Sequence, residues 1–355
     1  MHTGLLLICS MQAGVKLVTG LGLVWGIMVV AHAQSSLLHR FSFQQSKMGA
    51  PFQMILYHTD SAAAQAVAAQ SFTLVDSLNA LFSDYVDSSE INLLHTKPDI
   101  YSQQGTAVSA PLFAILLQAQ QAWQLSQGKF DITVGPLTRL WRRARRQGVL
   151  PAEDAIRYWR SKTGFQHVKL HPHSQRLQWL TPGLQFDLGG IAQGFVVDAV
   201  AGYLRQQGIS AFLVNASGDI VTQGSPPGAQ DWKIAVNLPG QSHALHRKPL
   251  RLRTSGAVST SGDALQYLEV NGNRYSHILD PVTGMGSTWQ RNVTVLAQHA
   301  TLADWLSTAC SLLPVQEAFA LAKSQQAGLL IGWVAAGNKI QWKANRLFKK
   351  YWKND

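Results

Sequence analysis

The sequence predicts an α+β fold, a single domain with mixed, largely antiparallel sheets and flanking helices. Three observations point there. Apolar residues recur at helical spacing over 61–82, 110–126 and 300–323. Short strand signals crowd the stretch 211–279, at AFLVNA, WKIAVNL, LRLRTSG, LQYLEV and NRYSHIL. Helices and strands do not alternate in the regular way that a doubly wound parallel sheet requires.

Residues 61–82 carry Ala66, Ala69, Phe72, Val75, Leu78 and Leu81 three apart, which reads as a helix face. Residues 110–126 form a second helix, with Pro111 in the first turn, where its missing N–H costs nothing. Asp187–Gly194 is a glycine-rich turn leading into a helix from about Phe195 to Gln207, which Gly208 stops. Among the strands that follow, Asn-Gly-Asn at 271–273 suits a hairpin turn. NVTVLA (292–297) is another strand, 300–323 a helix, and 328–334 and 339–342 are closing strands. There is no internal repeat or low-complexity tract.

At the N-terminus, Lys16 precedes the apolar run LVTGLGLVWGIMVVAHA, which ends in Ala31-His32-Ala33. A basic residue, an apolar core and a small-x-small end are the pattern of a secretory signal cleaved near Ala33; Met11 as the start gives a more ordinary signal length. The alternative is a retained anchor, because Leu17–Ala33 is almost long enough to span a membrane. Cys9 precedes the apolar run, so it is not a lipoprotein cleavage site. Cleavage leaves 34–355 as one exported domain of the periplasm or cell envelope. Only Cys310 survives in it, which excludes an intramolecular disulfide. The whole chain carries +11, and +10 remains once Lys16 is removed. RRARR (142–146) and KKYWK (349–353) concentrate that charge, either as solvated faces or as docking sites for an anionic membrane surface or acidic ligand. No nucleic-acid module accompanies the charge, and nucleic acid is not an expected partner.

Four polar, glycine-containing segments stand out: GKFDITVGPL (128–137), DLGGIAQGFVVD (187–198), VSTSGD (258–263), and YSHILDPVTG (275–284) followed by TLADWLSTA (301–309). Small residues beside an acid or hydroxyl let backbone amides approach a ligand. DLGGIAQG is not the dinucleotide G-x-G-x-x-G. Its paired glycines either offer N–H groups to a pyrophosphate or make a tight turn needing positive φ. Asp304 and Thr308, four apart, share a helix face. With a backbone carbonyl they suit a hard cation such as Mg²⁺, though taken alone such a pair is more often solvated. His277 alone is more often a hydrogen-bonded structural residue than a catalyst. No His/Cys cluster has zinc spacing and no G-x-S-x-G elbow occurs.

Taken together and in order, the motifs resemble the ApbE family, the FAD:protein FMN transferases, from about Phe43 to Lys323. KMGAPFQMILY is similar to the family's opening Met-Gly strand, and FSDYVDSSEINLL to its next segment. GKFDITVGPLTRLW, FDLGGIAQGFVVD, LVNASGDIVTQG, WKIAVNLP, VSTSGD, SHILDPVTG and ADWLSTA follow in the family's order. The resemblance implies a Mg²⁺-dependent enzyme that transfers FMN from its substrate FAD, through the phosphate, to a threonine of an acceptor protein and releases AMP. Acceptors in the family are typically envelope proteins of respiratory or redox systems. The resemblance also implies a metal held by the Ala192 carbonyl, Asp304 and Thr308, and His277 as catalytic base. Flavin or nucleotide contacts are implied for Met48, Tyr85, Lys129, Phe130, Asp131, Gln193, Asp198, Thr260, Ser261, Gly262 and Ile278, with Asp280 bracing the turn.

Three departures accompany it. Gln193 stands where the family commonly has Lys, so a point charge near the phosphates is lost. Ser217-Gly218 replaces Gly-Gly, which strains Ser217 if that position needs positive φ. The arginines of 142–146 replace a glycine-rich continuation after Trp141. Two other readings stay open: an FAD pyrophosphatase that uses water as acceptor, and a non-catalytic FAD-binding protein.

Overall fold

A computed structural model of the chain describes residues 37–239, 248–262, 266–335, 337 and 339–353. The segment read as an export signal (1–33) and Asp263 of VSTSGD lie outside them. The architecture is α+β, built on an eight-stranded sheet. Its strands are β1 (His39–Lys47), β2 (Ala50–His58), β3 (Phe212–Ala216), β4 (Asp219–Gln223), β5 (Gly256–Gly262), β6 (Arg291–Ala297), β7 (Gly328–Ala335) and β8 (Lys339–Ala344). They lie in chain order across the sheet, and every neighbouring pair is antiparallel. The long insertion between β2 and β3 carries helices α1 (Ser61–Phe82), α2 (Ala110–Leu125), α3 (Gly135–Gln147), α4 (Glu153–Arg160) and α5 (Ala192–Gln206). Helices α6 (Ala300–Leu312), α7 (Val315–Ser324) and α8 (Arg346–Tyr351) come later.

The central strands are apolar on both faces because both faces are covered. Met54, Val214, Val293, Val295 and Ile331 join the main core with α1, α5 and α6. Leu213, Leu296 and Leu330 point the other way, into a second core with Trp232, Leu250 and Phe348. A third, smaller core of Leu137, Trp141, Ile156, Leu268 and Leu279 lies under the hairpin of Tyr267–Val270 and Asn273–Ser276. The Asn271-Gly272 turn of that hairpin has φ of 53° and 75°, as a tight two-residue turn demands.

Several local expectations shift. The buried stripe of α1 runs through Ala64, Ala68, Phe72, Val75, Leu78 and Phe82, leaving Ala66 and Ala69 exposed. A strict three-residue repeat walks around a 3.6-residue helix, so alternating threes and fours hold one face. The helix expected over 300–323 breaks between α6 and α7 at Pro314, which has no N–H to continue the ladder. Helix α5 begins at Ala192, three residues before Phe195. The NRYSHIL strand ends at Ser276, so His277 lies beyond the ladder.

The contact that positions the site is between α5 and α6, which run antiparallel in steps of one helical turn. Asp198 of α5 accepts the Ala300 and Thr301 amides at the start of α6, both at 2.8 Å, and the Thr301 hydroxyl at 2.6 Å. One turn back, the Gly194 N–H donates to Asp304 Oδ2 at 2.9 Å. One further step back, Gly190 lies against Thr308, where a Cβ would come within 3.1 Å of Oγ1. A Cβ on Gly194 would overlap the Ala300 carbonyl and sit 2.8 Å from Asp304 Cβ. Gly194→Ala therefore forces the helices apart and should cost about 2–3 kcal/mol, read as a lower urea midpoint at unchanged slope. A variant as stable as the parent would mean that the helices do not approach this closely.

Candidate active site

Asp304 is buried in α6 and faces the first turn of α5, two residues beyond Ala192. Asp219, at the start of β4, is also buried. Burial pushes the Asp219 carboxyl up to about 7; the Ser259 hydroxyl opposes this and the Asp198 charge adds to it. Burial also holds Asp304 well above the usual carboxylate range, reinforced by the Asp219 charge and opposed by the Gly194 amide. No salt bridge among the described residues reaches either group. Hydroxyls complete the surroundings. Ser261 Oγ lies 2.6 Å from Ser307 Oγ and 3.2 Å from Thr308 Oγ1, and Ser259 Oγ lies 3.3 Å from Ser307 Oγ.

This is an oxygen-rich place with two buried carboxyl groups that no cationic side chain of the described residues reaches, which fits a hard divalent cation able to displace their protons. Among the described residues no three His, Cys, Asp or Glu side chains gather into a metal set. A cation here would draw on Asp304, Thr308 and the Ala192 carbonyl, completed by water or a ligand's phosphate.

His277 follows the hairpin of the third core. Its backbone N–H donates to the Gln266 carbonyl at 3.0 Å, and its Nδ1 lies 3.1 Å from the same oxygen. A carbonyl only accepts, so Nδ1 carries the proton and Nε2 keeps its lone pair. Burial lowers the imidazole from its ordinary 6.5, helped by Arg145 and Arg142 and opposed by the Gln266 bond and Asp187. The ring is thus neutral at neutral pH and able to take a proton. Its loop is pinned at both ends. Asp280 accepts from Lys129 Nζ at 3.0 and 3.2 Å and from the Val282 amide at 2.9 Å, while Trp141 Nε1 donates to the Gly284 carbonyl at 2.8 Å.

The glycine turn lies between these two groups. Asp187 Oδ1 accepts the Gly189 amide at 2.8 Å, and Oδ2 lies 3.7 Å from Arg142. Arg142 also pairs with Asp84, and its guanidinium stacks 4.2 Å from the ring centre of the exposed Tyr85. Arg142 therefore does not belong to a solvated run; it ties the Tyr85 segment to the glycine turn, while Arg143 and Arg146 of the same helix stay exposed.

The other residues singled out by the sequence lie around these groups. The Asp131 and Asp198 carboxylates accept hydrogen bonds from protein donors. Asp131 accepts the Thr133 amide at 2.8 Å and hydroxyl at 2.6 Å, and burial pushes it up to about 6. Asp198 holds the start of α6. Phe130 is buried, its ring 6.2 Å from Trp305. Met48 forms the β1–β2 turn at φ 53°, beside the Ser217-Gly218 turn at the same sheet end. Ser217 does adopt positive φ, 51°. Thr260 Oγ1 meets Thr294 Oγ1 at 3.0 Å, Gly262 passes Asn292, and Gln193 is half-buried at the start of α5. Ile278 follows the histidine, its amide donating to Ser276 Oγ at 3.1 Å. The sequence points to neither Arg142 nor Asp219 as part of this site: a charge run, read as solvated or docking, conceals the first, and nothing in NASGD marks the second as buried.

The ApbE family model matches residues 48–331. An FAD:protein FMN transferase of Vibrio cholerae is 32% identical over 263 residues, which cover 73% of this chain and 76% of the relative. One of Escherichia coli K12 is 30% identical over 251 residues, covering 69% and 70%. Among solved structures, the flavin transferase ApbE from Vibrio cholerae matches with a TM-score of 0.76 at 27% identity, covering 89% of this chain and 100% of that one. The ApbE protein of Thermotoga maritima gives 0.78 at 26%, with the same coverage of 89% and 100%.

The carboxylate cluster makes stability depend on pH. Asp219 titrates near 3.8 when unfolded and about 7 when folded, so its contribution is full at acid pH and disappears as pH rises to about 7. In chelator the parent should lose stability over that window relative to Asp219→Asn, and added Mg²⁺ should restore it most at the upper end. Parallel pH profiles for the two proteins, measured by thermal melting, would contradict this.

Proposed function

Because the chain belongs to the ApbE family, we propose that it transfers FMN from FAD to a protein, with a threonine hydroxyl as acceptor and AMP as leaving group. What carries this reading is the glycine turn held between Asp304 and Thr308 on one side and the neutral His277 on the other. In the transfer, the threonine oxygen forms a bond to the FMN phosphorus as the bond from that phosphorus to the bridging oxygen of AMP breaks. His277 Nε2 receives the threonine proton, and AMP departs with the bridging oxygen. Bound at Asp304, Thr308 and the Ala192 carbonyl, Mg²⁺ would neutralise charge on the pyrophosphate. Lys129 and Trp141 keep the histidine loop in place, and Arg142 keeps the glycine turn facing it. Export to the cell envelope, supported by the 17–33 run, would put the enzyme beside redox proteins as acceptors.

Removing the imidazole separates chemistry from binding. His277→Ala should keep FAD binding, followed by flavin fluorescence, while turnover falls about 10²–10⁴-fold. In the parent, kcat/KM should decline as pH drops through an apparent pKa below 6.5, because burial holds His277 down. Parent-like turnover in His277→Ala would remove the histidine from the chemistry.

A further inference from the structure

The outer edge of the sheet carries a surface that the flavin chemistry does not use. From Ala318 to Asn354 the sequence contains no Asp or Glu. Among the described residues, strand β8 is the last of the sheet and pairs only with β7. Lys349 and Lys350 of α8 and Lys353 just beyond are exposed, whereas Lys339 and Lys343 stand on the other face of β8, Lys343 over the Phe319 ring of α7. On the α8 side apolar side chains accompany these three lysines: Trp342 is 48% exposed and Leu347 37%. The platform is firmly built. Phe348 is fully buried in the second core, the Trp352 ring stands 5.0 Å from that of Trp342, and Trp352 Nε1 donates to the Lys248 carbonyl at 2.7 Å.

We propose that this face docks on an anionic lipid surface. Lysines on an edge strand are a common guard against strand pairing, but Lys349, Lys350 and Lys353 lie off the edge, and an exposed tryptophan does not serve that purpose. Tryptophan among lysines is interfacial chemistry: the indole settles at headgroup level while the ammonium groups meet lipid phosphates. Among the described residues no helix is long and apolar enough to cross a membrane; the contact proposed is with the bilayer surface. That a membrane is what meets it rests on the proposed export; the lipid contact itself does not require flavin transfer.

The test uses the full chain with phosphatidylcholine vesicles, with and without phosphatidylglycerol. Any association through the apolar run 17–33 would be common to both kinds, so the gain on adding phosphatidylglycerol isolates the lysine face. Lys349→Gln, Lys350→Gln and Lys353→Gln together should weaken that gain on the order of a hundredfold. High salt should weaken the parent in the same way, and the gain should slow amide exchange in β8 and α8. Arg143→Gln with Arg146→Gln should leave it unchanged. FMN transfer to a soluble acceptor should survive the lysine changes, so failure of the lipid proposal and failure of the flavin proposal read out separately. Equal binding to both vesicle types, a lysine variant that binds like the parent, loss only in the arginine variant, or preference for an acidic polypeptide over vesicles would each overturn the proposal.

Discussion

The close approach of α5 to α6 is the constraint on which the rest of the site depends. Three contacts repeat one helical turn apart: Asp198 with the amides that open α6, Gly194 with Asp304, and Gly190 with Thr308. The first is a carboxylate at a helix N-terminus, favoured by the dipole and by two amides that would otherwise lack partners. The other two need glycine, because any Cβ would meet the opposite helix. Once this register is set, Asp304 and Thr308 face the start of α5, and the glycine turn lies across them. The loop that carries His277 is held from elsewhere, by the third core and the Lys129–Asp280 pair. The site is thus a junction between two separately packed parts of one fold.

Charge is distributed unevenly across that junction. On the main-core side, Asp219 and Asp304 are buried beside each other and hold their protons to higher pH than free carboxylates do. On the other side, Arg142 and Arg145 help to keep His277 neutral. A cation would satisfy the first side and an anionic substrate the second. A divalent ion with a pyrophosphate would supply both, which is the ligand pair the proposed transfer calls for.

Much of this was readable in the sequence, for identifiable reasons. The α+β class, α1, α2 and the Asn271-Gly272 hairpin follow from local periodicity and turn chemistry, which need no tertiary information. The family's motifs identified the segments that meet. What the sequence concealed is direction. That the Asp131 carboxylate holds Thr133 and the Asp198 carboxylate the start of α6 is not legible in their motifs, because only packing decides which way a side chain points. Arg142 reads as part of a charge run, solvated or docking, but its place beside Trp141 on α3 turns it toward Asp84 and Asp187. The break at Pro314 and the loss of Ala66 and Ala69 from the core face show the same limit: a stripe of threes does not state how a helix turns against its neighbour.

The most direct measurement is intact-mass spectrometry of a threonine-bearing acceptor domain incubated with the protein, FAD and Mg²⁺, with AMP followed in parallel. The account predicts an acceptor heavier by one FMN phosphoester, one AMP released per adduct, and loss of both on chelation. FMN and AMP appearing without any adduct, across a set of envelope redox acceptors, would contradict it and make water the acceptor.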